Sequence, residues 1–113
     1  MEDRKPSEEF SLVQVAEGIH VWLAPNGSWG MSNAGLILGV GESMIVDTMF
    51  DLNLTRSMLN AMATIEPRIS KSVDALLNTH ANGDHCHGNE LVPTERVIAS
   101  EETANEMDEL PPA

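Results

Sequence analysis

The sequence predicts an α/β layered domain on a mixed β-sheet, and three observations carry that prediction. Short β-branched runs punctuated by turn residues fill positions 11 to 47. After Asp47 the apolar spacing changes to steps of four and three, the period of a helix. Strands and helices then alternate to the end of the chain, the pattern of layered α/β packing.

The elements follow in order. MEDRKPSEEF, residues 1–10, is charged and contains Pro6, and it reads as a mobile tail ahead of one domain over 11–113. SLVQVAEGIHVWLAP gives two short strands with a turn near Glu17-Gly18. PNGSWGMS, residues 25–32, is a loop by its Gly, Pro, Asn and Ser content. Two more strands are expected at 34–39 and 43–47, with a tight turn at Val40-Gly41-Glu42. Leu54, Met58, Met62 and Ile65, flanked by Leu59 and Ala61, form one helical stripe, with Asp51 as N-cap and Pro67 beyond the end. That spacing explains the methionines as core. VDALLN, 73–78, is a short apolar strand. A short helix is expected to start near Gly88, a strand at 97–99, and a final helix capped by Ser100 and stopped by Pro111-Pro112.

With two Trp, two Phe and no Tyr, the core must be aliphatic and methionine-rich. Trp22 and His20, within a strand pattern, read as structural. A net charge of −12 on 113 residues argues against nucleic acid and anionic membrane as partners. Cys86 stands alone, so no internal disulfide forms. No window approaches the roughly 18 apolar residues of a membrane span, and the N-terminus has no apolar signal region. A soluble, cytoplasmic protein is expected.

One stretch departs from this ordinary pattern. NTHANGDHCHGN, residues 78–89, collects His80, Asn82, Asp84, His85, Cys86 and His87 just beyond an apolar strand. Open α/β sheets commonly place ligands there. Imidazole and carboxylate suit zinc first, then manganese or iron. His80 and Asn82 alternate, so an extended segment turns both the same way. Asp84 and His85 are adjacent and can converge only in a loop, for which Gly83 gives freedom. His87 could join His85. Cys86 reads as a packing residue more than a soft ligand. Local ligands of this kind rarely complete a catalytic site without a contribution from a distant segment.

The run THANGDHCHG, with MIVDT at 44–48 and a helix between them, resembles the metallo-β-lactamase superfamily, whose motif reads Thr-His-x-His-x-Asp-His followed by a Gly-rich turn. The resemblance spans roughly residues 11 to 110. It implies half of a four-layer αββα sandwich, with a mixed sheet and helices on one face. By position His80 matches a ligand of a first metal, while Asp84 and His85 serve a second. Asp84 would also orient the attacking water, Asp47 would support the loop from behind, and Gly88 would be a turn glycine. The implied activity is zinc-dependent hydrolysis, one or two ions activating water against an ester, amide or thioester bond of an unknown small-molecule substrate.

Two positions depart from that pattern. Asn82 stands where the second histidine belongs, and a carboxamide is a poor replacement for imidazole. His87 occupies a place usually held by glycine, so it is either a substitute ligand or a side chain lining the cleft. Trp29 falls where relatives carry a flap over the site. Family members are also about twice as long, and no histidine follows His87. The sequence therefore resembles an N-terminal half, a truncated domain whose exposed sheet face is expected to form a homodimer. A non-catalytic metal-binding or self-assembling half-domain is the alternative. A diiron oxidoreductase ranks third, since relatives of that kind place a carboxylate where Asn82 stands.

Overall fold

The structure, a computed structural model, describes residues 10–25 and 32–109, the side chains of Asp84 and Glu109 excepted. Trp29 and nearly all of the expected tail lie outside the described residues. Six strands form one sheet in chain order: β1 Ser11–Ala16, β2 Ile19–Leu23, β3 Ala34–Leu38, β4 Ser43–Val46, β5 Ala75–Leu77 and β6 Val97–Ile98. The first four run antiparallel, and β4, β5 and β6 run parallel, so the sheet is mixed as expected. Helix α1, Leu52–Ile65, joins β4 to β5, because a parallel pair needs a long crossover. Helix α2 is a single turn at Gly83–Cys86, and α3 runs Glu101–Glu109.

Local chemistry sets these boundaries. Gly18, at φ +74°, closes the β1–β2 hairpin, and a Cβ there would collide with the Leu38 carbonyl. Asp51 caps α1 by accepting the Leu54 N–H at 2.7 Å. Ser100 Oγ accepts the Thr103 N–H at 3.1 Å and caps α3. The short helix expected near Gly88 forms earlier, at 83–86, and a 3₁₀ turn follows at Asn89–Leu91. Gly88 itself is pressed against Thr55, and a Cβ at Gly88 would overlap that side chain.

Pairing register sorts the strand residues into two faces. His20, Leu36, Ile45 and Leu76 form one row across the sheet and are buried. Met58 and Met62 of α1 are fully buried in the same core. Burial of each contributes about 1.5–3 kcal/mol. Ile65 departs from the expected stripe and is exposed, while Thr55 takes a buried place on the helix. Phe10, at the edge of the expected tail, stacks on Trp22 with ring centroids 5.2 Å apart. His20 Nδ1 and Trp22 Nε1 are buried without a hydrogen-bond partner among the described residues.

The opposite face is apolar and partly exposed among the described residues. Val13, Val21, Gly35, Val46 and Leu77 form one row there, and Ile19, Ile37 and Met44 another. Val13, Ile19 and Ile37 are each about 40% exposed, at 39%, 39% and 41%. None of these residues carries charge. Among the described residues no helix is long and apolar enough to cross a membrane.

Candidate metal centre

The quoted cluster lies where parallel strands β4 and β5 end, the expected place for a ligand in such a sheet. Asp47 follows β4 and takes φ +66°, a left-handed conformation that aspartate tolerates better than most residues. Its N–H still donates to the Leu77 carbonyl at 2.8 Å, so the pairing with β5 continues as the chain turns. The turn buries the carboxylate behind the loop. Oδ1 accepts the Thr79 N–H at 2.7 Å and Oδ2 accepts the Thr79 hydroxyl at 2.6 Å. Oδ2 also lies 3.0 Å from His85 Nδ1. A strained backbone residue costs on the order of 1–3 kcal/mol, and these bonds to a charged group offset it at about 1.5–3 kcal/mol each.

A second set of polar groups closes the loop. The His85 carbonyl accepts from the Thr48 N–H at 2.9 Å and from Asn78 Nδ2 at 3.1 Å. Asn78 and Asn89 exchange amide hydrogen bonds at 3.2 and 2.6 Å. Thr48 Oγ1 donates to Asn89 Oδ1 at 2.9 Å. Thr55 Oγ1 accepts the Met49 N–H at 3.1 Å, so the residue that touches Gly88 also holds the β4–α1 connection. Asn78 is 2% exposed and Thr48 and Thr55 are fully buried. Hydrogen bonding of this extent is what buried polar groups require.

The front of the loop is different. Helix α2 starts after Asn82, whose carbonyl accepts the His85 N–H at 2.9 Å. This turn converts the adjacent Asp84-His85 pair, which would diverge on a strand, into residues of one helical corner. It brings the His85 ring beside His80, with centroids 4.7 Å apart and planes tilted by 38°. A carboxylate only accepts hydrogen bonds. His85 Nδ1 facing Asp47 therefore carries a proton. Two adjacent imidazoles fit a zinc-type ion by donor chemistry.

Asn82 and His87 have other surroundings. Asn82 is exposed, and its side chain makes no capping bond to α2. The His87 ring lies over Gly83, where a Cβ would collide with the imidazole, and 5.8 Å from the Phe50 ring. Cys86, half-buried, places Sγ 3.4 Å from both the Ala81 and the Asn82 carbonyl. Asp84 belongs to α2 by its backbone, and its side chain lies outside the description. Among the described residues no group of three His, Cys, Asp or Glu stands ready to hold one ion.

Sequence reasoning named Asp47, His80 and His85, which the structure brings together, and did not name Thr48, Thr55, Asn78, Thr79 and Asn89. A signal was available for some of them. Asn78 and Thr79 are polar residues directly after the apolar run ALL, and Thr48 follows Asp47 after MIV.

Known proteins bear on this arrangement. No curated protein sequence matches the chain. Among solved structures, the metallo-β-lactamase of Hirschia baltica superposes with a TM-score of 0.67 at 22% identity, covering 92% of this chain and 50% of that one. The FIM-1 enzyme of Pseudomonas aeruginosa, in a mono-zinc form, gives 0.67 at 17%, covering 92% and 48%. The metallo-β-lactamase of Erythrobacter litoralis, with β-mercaptoethanol in its active site, gives 0.64 at 22%, covering 93% and 48%. The chain thus spans about half the length of these structures, and at such identities the likeness shows the fold. The sequence profile of the metallo-β-lactamase superfamily matches residues 27–113, which makes this chain a member of that superfamily.

Proposed function

We propose that the chain supplies the His80–His85 side of a zinc-dependent hydrolase site acting on an ester, amide or thioester bond. The observation that carries this reading is the imidazole pair, 4.7 Å apart and backed by the buried Asp47. Membership in a superfamily generally made of metal-dependent hydrolases supports it. His80 and His85 would hold the ion through Nε2. When bound, zinc supplies Lewis acidity, polarising a carbonyl and acidifying water. Asp84 would orient the attacking water and accept its proton. Asp47 keeps the His85 ring fixed in orientation and tautomer, so no rearrangement is needed on binding. The acidic chain, at −12, attracts cations toward this exposed loop.

The test combines metal analysis with turnover. After incubation with zinc and removal of excess, the protein is expected to retain zinc and to cleave activated esters or thioesters, with both properties lost in His85→Ala. Turnover unchanged in a chelator-treated sample would overturn the reading.

A second reading is a metal-binding module that assembles with a second copy and does not turn over substrate. Asn82 at the second histidine position favours it, and so does the partly exposed apolar sheet face. The strand residues named on that face carry no charge, so two strongly acidic chains could meet along them without opposing their like charges. Light scattering at micromolar concentration distinguishes the readings. A dimer dissociated by Ile37→Lys supports face-to-face assembly, and a clean monomer removes it.

A further inference from the structure

One contact in the loop has no part in the roles given above. Thr79 Oγ1 lies 2.6 Å from Asp47 Oδ2 and also 2.8 Å from His80 Nδ1. A hydroxyl has one proton to donate and accepts with its lone pairs. The carboxylate offers no proton, so at 2.6 Å the Thr79 proton must point toward Asp47. Two oxygens that close, with no hydrogen between them, would repel. The hydroxyl can then only accept from the imidazole, and the proton on His80 must sit at Nδ1.

We propose that Thr79 is a positioning residue that relays the Asp47 carboxylate to His80 and locks this exposed imidazole as the Nδ1–H tautomer, with Nε2 as the free electron-pair donor. One carboxylate thereby sets both rings of the pair. It acts directly on His85, at 3.0 Å from Nδ1, and through one hydroxyl on His80. The arrangement does for an exposed residue what burial cannot. His80 is open to solvent, where water would leave its tautomer and ring orientation free. The Thr79 N–H donates to the other Asp47 oxygen at 2.7 Å. Backbone and side chain of Thr79 are therefore gripped by the same carboxylate, which fixes the hydroxyl in place. The use of the relay for metal binding rests on the hydrolase reading above; the tautomer itself does not.

The test uses the full chain labelled with ¹⁵N-histidine, kept metal-free with chelator at neutral pH. Long-range ¹H–¹⁵N spectra distinguish Nδ1–H from Nε2–H imidazole, and His80→Gln assigns the His80 signals. His80 and His85 are both expected as Nδ1–H. Thr79→Val is expected to release His80 to the Nε2–H form or to an average while His85 keeps its tautomer. Thr79→Ser, which keeps the hydroxyl, is expected to behave as the unmodified chain. Zinc titration should then show affinity about 10–100-fold weaker in Thr79→Val and near normal in Thr79→Ser. An Nε2–H His80 in the unmodified protein overturns the relay, even if Thr79→Val does not fold. An unchanged His80 tautomer in folded Thr79→Val overturns it as well. If the tautomers are as expected but no zinc binds, the relay stands and the hydrolase reading fails.

Discussion

The loop at 78–89 has two sides that the same dozen residues build very differently. Its back is crossed by hydrogen bonds from Asp47, Thr48, Asn78, Thr79 and Asn89, and Gly88 is pressed onto Thr55. Its front presents Asn82, exposed and without a cap bond, and His87, laid over Gly83 beside Phe50. The difference teaches where chain specificity lies. The back reaches His80 through the Thr79 hydroxyl and His85 through the Asp47 carboxylate. The front leaves room for variation, and both departures from the superfamily motif fall there.

Substitutions that treat the two sides alike in chemistry should therefore differ in effect. The largest difference is expected between two glycines. Gly88→Ala drives a Cβ into a fully buried threonine and should lower stability by about 3 kcal/mol or more. Gly83→Ala meets only the end of a half-buried imidazole, which can swing aside, and should cost less than about 1 kcal/mol. Urea unfolding followed by circular dichroism measures both, and equal losses would erase the distinction.

Asp47→Asn comes next. Asparagine also tolerates positive φ, so the backbone need not move. The change replaces an acceptor facing three donors by a group that can itself donate. Zinc affinity should drop about 10–100-fold, read by calorimetric titration in protein whose circular dichroism is unchanged. A folded variant with normal affinity would show that the back of the loop does not prepare the imidazoles.

On the front, Asn82→His should tighten zinc binding by about tenfold, equivalent to about 1.4 kcal/mol. No gain would mean that position 82 faces away from the ion. The smallest effect is expected from His87→Ala. Its ring packs over Gly83 and Phe50, so zinc affinity should stay within about twofold, well under 1 kcal/mol. A tenfold loss would instead identify His87 as a ligand brought in by rearrangement.

The sequence made some of this legible and hid the rest, for physical reasons. Strand and helix positions follow from alternation and from the Met58/Met62 stripe, because burial repeats with the geometry of the element. Asp51 and Ser100 could be read as caps because a cap bonds within three residues of itself. The His80–His85 pair was readable once the motif resemblance was granted, since both sit inside one short run. Of the back of the loop, the resemblance gave Asp47, and the partners it and Gly88 meet were not readable. Asp47 and Thr79 are separated by α1, and Gly88 finds Thr55 only because α1 folds across the sheet. Such contacts arise from tertiary packing and leave no local period. Ile65 illustrates the same limit from the other side, since its spacing suits the stripe while the fold leaves that end of α1 in solvent.

The central proposal is that His80 and His85, which the resemblance assigns to two neighbouring metals, form a pair that donates to a single ion. X-ray absorption at the zinc edge, on protein holding one equivalent of zinc, tests it most directly. The account predicts two imidazole nitrogens in the inner coordination shell at about 2.0–2.1 Å, falling to one in His80→Ala. Zinc surrounded only by oxygen, or an unaltered shell in that variant, would contradict it.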